Sequence, residues 1–147
     1  MDHREHAAEL FMKGYNCAQA VAVAFCDVTG LEPDAAARMA SSFGGGMGRM
    51  REVCGAVSGM LLVAGILYGY ETPGDDISKK KHYALVQELS ARFREQTGSI
   101  VCREILKNPP SDPNPTPRTA EFYQTRPCVR MVSLAAGILE DHINGNP

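Results

Sequence analysis

Apolar positions recur at helical spacing along most of the chain. Leu10, Gly14, Cys17, Val21, Ala24 and Val28 follow one another at three- or four-residue steps. That period lines side chains up on one helix face and predicts a helix over residues 4–28. Thr29-Gly30 ends it, and Glu32-Pro33-Asp34 opens a short second helix from Ala35 to Phe43. Gly44-Gly45-Gly46-Met47-Gly48 breaks the pattern. A third helix follows over about Val53 to Tyr70. A fourth runs over about Asp76 to Gln96, with Tyr83, Val86, Leu89 and Phe93 on one face. After Thr97-Gly98-Ser99 a short helix carries Ile100 to Lys107. Asn108 to Pro117 holds prolines at 109, 110, 113, 115 and 117, too many for a helix or a ladder, and reads as an extended linker. A last helix starts near Pro127 and stops before Gly145. No period-2 segment and no internal repeat is present. The expectation is one all-α domain over residues 1–147, a compact bundle of about five or six helices with a Gly-rich loop and a Pro-rich linker.

Val53–Tyr70 is uncharged over 18 residues, the lower edge for a membrane span. Gly55/Gly59 and Gly65/Gly69 form two small-residue steps that allow close helix packing. Its mid-chain place between amphipathic helices favours a buried central helix. Exposed glycine faces could also seat a second copy, so a homodimer is an open expectation.

Composition narrows the function. The 147 residues are 44% hydrophobic and 22% charged, enough to bury a core. Fifteen Lys and Arg against 17 Asp and Glu leave a net charge of −2, which argues against a nucleic-acid partner. Trp is absent and aromatics are 7%, so a stacking platform is not expected. The glycine loop matches neither dinucleotide nor P-loop fingerprints, since position 49 is Arg and no Gly-Lys-Ser/Thr follows.

The cysteines change the picture most. Met1-Asp2-His3-Arg4-Glu5-His6 lacks an apolar leader and predicts a cytoplasmic protein, in which structural disulfides are rare. Five cysteines nevertheless stand at 17, 26, 54, 102 and 128, with no C-x-x-C. Any joint site must therefore be assembled from distant segments. Cys54, Cys102 and Cys128 fall in predicted first helical turns, after the glycine loop, Ser99 and Pro127 respectively. Free N–H groups and the positive helix end favour a thiolate there. Arg49, Arg51, Arg103, Arg126 and Arg130 would act in the same sense if they point inward. On one continuous helix Cys17 and Cys26 lie nine steps of about 100° apart, on opposite faces. Cys17 shares the apolar stripe and is assigned to the site; Cys26 is assigned to packing.

Other groups are weaker. His3-x-x-His6 reads as a solvated terminus, and His82 and His142 as exposed. Val57-Ser58-Gly59 lacks the first glycine of a hydrolase elbow, and no Glu-x-x-His pair suggests a di-iron bundle. Met47, Met50 and Met60 read as core fillers.

Gly14-Tyr15-Asn16-Cys17-Ala18-Gln19-Ala20, Gly44-Gly45-Gly46, Cys54-Gly55-Ala56-Val57-Ser58-Gly59, Cys102 and Cys128 together resemble the C-GCAxxG-C-C family of "putative redox-active" proteins. The element here reads C-G-A where the label's letters run G-C-A. The resemblance implies that Cys17, Cys54, Cys102 and Cys128 are the functional set and leaves Cys26 outside it. It names no substrate. Three chemistries then compete. In the first, the four thiolates bind an iron–sulfur cluster, in its simplest form [2Fe–2S], for electron transfer with a redox partner protein. Gly44, Gly45, Gly46 and Gly55 would then supply backbone N–H groups around the cofactor. The second is metal-free thiol–disulfide chemistry at the same cysteines. The third is a structural zinc site in a binding module, which usually draws on local cysteine pairs that are absent here.

Overall fold

The computed structural model describes residues 2–145, and these form an all-α fold with no strand among them. Its helices are α1 (His3–Met12), α2 (Cys17–Ala24), α3 (Cys26–Thr29), α4 (Pro33–Ala40), α5 (Gly55–Tyr68), α6 (Asp76–Thr97), α7 (Cys102–Ile105), α8 (Ala120–Thr125) and α9 (Cys128–Ile143). A 3-10 turn, Ser41–Phe43, extends α4. Six of these helices reach eight residues, while the helix expected over Ile100 to Lys107 is a single turn, Cys102–Ile105.

The predicted helix over 4–28 is in fact three. Gly14 sits at φ +112°, which ends α1. Asn16 then caps α2: its side chain accepts from the Gln19 N–H, while the Gln19 side chain accepts from the Asn16 N–H. This reciprocal box satisfies free donors at a helix start and overrides the continuing apolar stripe. Phe25, at φ −103° and ψ 14°, separates α2 from α3.

α5 is the central helix. It packs against α2 and α9, and α1 lies across α9 and α2. Phe11, Phe25, Phe93, Met60, Leu89 and Leu139 are its largest fully buried neighbours and members. No helix among the described residues is long and apolar enough to cross a membrane. The contact of α5 with α2 depends on missing side chains: a Cβ on Gly59 would lie 2.6 Å from the Ala18 carbonyl oxygen and 3.0 Å from Val21 Cβ. Gly65 faces open space, so only the first small-residue step is used for packing within the chain.

His3 is not on a solvated face, although Asp2, Arg4 and Glu5 beside it are exposed. His3 is buried; its Nδ1 is 2.6 Å from Glu140 Oε1 and its Nε2 3.0 Å from each Asp27 carboxylate oxygen. The ring stacks on Phe25 at 4.2 Å, so one side chain ties α1 to α3 and α9. His6, His82 and His142 are half-buried rather than exposed. Of the three methionines read as fillers, Met60 is buried while Met47 and Met50 are exposed.

Gly59→Ala should lower stability by about 1–3 kcal/mol through overpacking. Gly65→Ala should raise it by about 0.5–1 kcal/mol, since alanine costs less backbone entropy in an open helix position. Urea denaturation of the two variants checks the opposed signs.

Candidate four-thiol site

The site begins in the glycine loop. Gly45, Gly46, Met47, Gly48, Arg49 and Arg51 all have φ between +59° and +71°. This left-handed run coils the chain tightly, with the Arg51 N–H reaching Gly45 O at 3.2 Å and the Glu52 N–H reaching Gly46 O at 2.8 Å. Met47, Arg49 and Arg51 carry side chains in a region costing about 1–3 kcal/mol each, so neighbours must hold the coil. The segment before α7 does so. Cys102 N–H donates to Glu52 O at 2.6 Å, Arg103 N–H to Arg51 O at 3.1 Å, and Cys54 N–H to Ile100 O at 2.7 Å. Residues 99–103 are thereby fastened alongside residues 51–54, and Cys102 comes beside Cys54. The approach is closest where glycine stands. A Cβ on Gly46 would be 2.7 Å from Cys102 Cβ, and one on Gly55 3.1 Å from Cys17 Cβ.

All four cysteines stand at helix starts. Cys17, Cys102 and Cys128 are the first residues of α2, α7 and α9, and Cys54 caps α5. For Cys17 this differs from the expected mid-helix position; the signal for it is Asn16-x-x-Gln19, the capping box. The four line one cavity of about 30 Å³, together with Gly45, Gly46, Gly55 and Arg51. That is room for about one water-sized body. Gly44 instead lines an outer pocket. Cys26 is not on the cavity; its thiol points to Ala22 O at 3.9 Å. The opposite-face argument for excluding Cys26 does not apply, because the helix it assumes is broken at Phe25.

Arg51 sets the electrostatics. Its residue surface is only 5% exposed, its Nη1 lies 3.7 Å from Cys102 Sγ, and its Nε donates to Pro110 O at 2.9 Å. No carboxylate pairs with it among the described residues. A buried guanidinium without a counter-charge is costly, and sulfur is the acidic group within reach. Cys128 is the one of the four that is lowered. A hydrogen bond from Cys17 and the charges of Arg126, Arg118 and Arg51 bring it down to about 7, against the pull of burial. Cys17, the donor in that pair, is held up well above its ordinary value by this bond, by burial and by the neighbouring thiols. Burial pushes Cys54 up to about 12, opposed by the Ala56 and Val57 N–H groups. Burial also raises Cys102, with Arg51 opposing.

The proline stretch is coil, as expected, but it is a strap over the site rather than a free linker. Arg49 reaches Thr116 Oγ1 at 2.8 Å, and Arg118 reaches Phe11 O and Tyr15 O at 3.0 Å. Of the five arginines considered from sequence, Arg51 and Arg126 act on the thiols and Arg49 lines the outer pocket. Arg103 turns to Glu52, and Arg130 is exposed. Arg118 carries no local sequence signal, since only the folding of the strap brings it to Cys128.

Among the described residues no three His, Cys, Asp or Glu side chains are gathered to hold a metal ion. The fold and the cysteines thus define a helical protein with four thiols around one small cavity. A protein-family model described as "Putative redox-active protein (C_GCAxxG_C_C)" matches residues 15–142, and the chain belongs to that family. No curated protein and no solved structure matches it significantly.

Alkylation of Cys128 by iodoacetamide in the reduced, metal-free protein should titrate with a midpoint near 7. The thiolate is the reactive form, so the rate falls below that pH. Cys17→Ala removes the largest cause and should move the midpoint upward, toward the ordinary thiol value of about 8.5. Arg126→Gln should move it the same way by less. Mass spectrometry of the labelled peptide reads each midpoint.

Proposed function

We propose that Cys17, Cys54, Cys102 and Cys128 bind an iron–sulfur cluster of the [2Fe–2S] type and that the protein carries electrons. The observation that carries this reading is the set of four thiols facing one cavity beside Arg51, a buried cation with no carboxylate partner among the described residues. Four cysteine ligands match what such a cluster takes. A net negative cluster is the counter-ion that Arg51 lacks, and the Ala56 and Val57 N–H groups near Cys54 act in the same sense. Gly46 and Gly55 let backbone come against the ligand side chains.

The donor set fits the group in kind and number. A single tetrahedral zinc needs its sulfurs within one coordination sphere, whereas two irons share four ligands in pairs. When bound, such a cluster supplies one-electron transfer. The protein's part is to gather the four thiols, favour the thiolate at Cys128, neutralise charge through Arg51, and shield Cys54 and Cys102 while Cys17 and Cys128 face the outer pocket.

A second reading rests on a separate observation, the hydrogen-bonded pair of Cys17 and Cys128 with Cys128 near 7. Two thiols at that pair would give one disulfide with loss of two electrons and two protons, the acceptor being a disulfide or another two-electron oxidant.

Reconstitution with iron and sulfide without oxygen separates the two. The cluster reading expects visible absorption bands and about two irons and two sulfides per chain. Ser at position 17, 54, 102 or 128 should abolish or alter the bands, and Cys26→Ser should keep them. Colourless protein overturns the cluster. A thiol count that then falls by two under diamide, through a Cys17–Cys128 disulfide, supports the second reading, and an unchanged count removes both.

A further inference from the structure

A larger pocket, about 320 Å³, opens beside the thiols between the glycine loop, the proline strap and the start of α9. Cys17 and Cys128 form part of its floor, so it is the solvent-side approach to the centre. Its volume lies at the lower end of small-molecule sites. Four arginines line it, Arg49, Arg51, Arg118 and Arg126, and no Asp or Glu does. The nearest carboxylate paired to any of them is Asp112, 4.0 Å from Arg49 and half exposed.

The arginines are not all used by the protein. Arg49 Nε is buried with no hydrogen-bond partner. Arg126 lays its guanidinium 5.5 Å from the centroid of Phe122, a stacking contact that leaves its N–H donors available. Arg118 is held rigidly, 4.2 Å over Phe11 and bonded to two backbone carbonyls. Planar guanidinium forks held in this way recognise the oxygens of carboxylates and phosphates bidentately. The rest of the wall is apolar, from Phe11, Phe122, Pro113 and Pro115. A bare inorganic ion would leave that part uncovered.

We propose that this pocket binds a small organic oxyanion, a carboxylate or a phosphate ester with an apolar body, and presents it to the Cys17–Cys128 edge of the centre. That the anion is a reactant there rests on the redox reading above; that it binds does not. Arg126 grips the oxygens, and Phe11 and Phe122 cover the apolar body. Arg49 and Arg118, bonded to the strap and to backbone carbonyls, position the wall and add positive charge.

Calorimetry on the full chain with benzoate, phenyl phosphate and neutral benzyl alcohol tests it. At least one anion should bind saturably and benzyl alcohol should not, and the better anion identifies the head group. Arg126→Glu should weaken that anion by at least about tenfold, while Arg94→Glu, an exposed arginine on α6, should leave it unchanged. The inference is overturned if neither anion binds, if benzyl alcohol binds equally well, or if a folded Arg126→Glu binds like wild type. Should Arg126→Glu not fold by circular dichroism, the anion-against-neutral comparison on the wild type decides alone. Anion binding to a protein that takes up no cluster and forms no disulfide removes the redox reading and keeps this one. A working redox centre that binds no anion does the reverse.

Discussion

A positive charge buried among sulfurs governs this molecule. Arg51 is almost wholly enclosed; it bonds a backbone carbonyl and lies against a cysteine sulfur, and among the described residues no carboxylate pairs with it. Such a cation is tolerable only if something beside it is anionic. In this fold that something is sulfur, whether as a thiolate or within a bound cluster. Cys128 is lowered by the hydrogen bond from Cys17 and then by Arg126, Arg118 and Arg51, while burial raises Cys54 and Cys102, so the pocket supports limited negative charge, concentrated at Cys128.

The backbone is arranged to keep Arg51 in place. The left-handed coil of residues 45–51 is unfavourable wherever it carries a side chain, yet Met47, Arg49 and Arg51 all adopt it. Strain of this kind persists only when surrounding contacts over-determine it. Here the hydrogen bonds from Cys102 and Arg103 and the strap through Pro110 supply the hold. The contacts that fix the coil are thus the ones that bring Cys102 to Cys54. Gly46 and Gly55 sit where the two chains come closest, and a methyl group at either would push a cysteine away.

Much of this was legible in residue order. The helix class, the glycine break and the starts of the helices at Cys54 and Cys128 follow from periodicity and from Pro127. The break before Cys17 did not follow from periodicity, because Leu10, Gly14, Cys17 and Val21 keep in step across it; Asn16 and Gln19 carried the signal. The proline stretch read as extended and is, but its docking depends on Arg49, Arg51 and Arg118, whose partners are about 60 to 107 residues away in sequence. His3 was likewise out of reach, since its partners Asp27 and Glu140 meet only after three helices have packed. Local chemistry reads from a sequence when its partners are neighbours; the charge around the thiols is entirely long-range.

The most direct test of the central claim is the pH dependence of folding stability in reduced, metal-free protein. A thiol lowered to about 7 in the folded chain and about 8.5 when unfolded adds stability that is fully present above 8.5 and lost as pH falls through 7. Taken alone this group contributes about 2 kcal/mol, of which about 1 kcal/mol is realised by pH 7.5. Denaturation from pH 6 to 7.5, below the range in which the raised Cys17, Cys54 and Cys102 act in the opposite sense, should therefore show wild type growing more stable with pH. Cys17→Ala, which removes the largest cause, should flatten the rise, and Arg51→Met should lower it by less. A flat or falling wild-type curve between pH 6 and 7.5, or an unchanged slope in both Cys17→Ala and Arg51→Met, would contradict this.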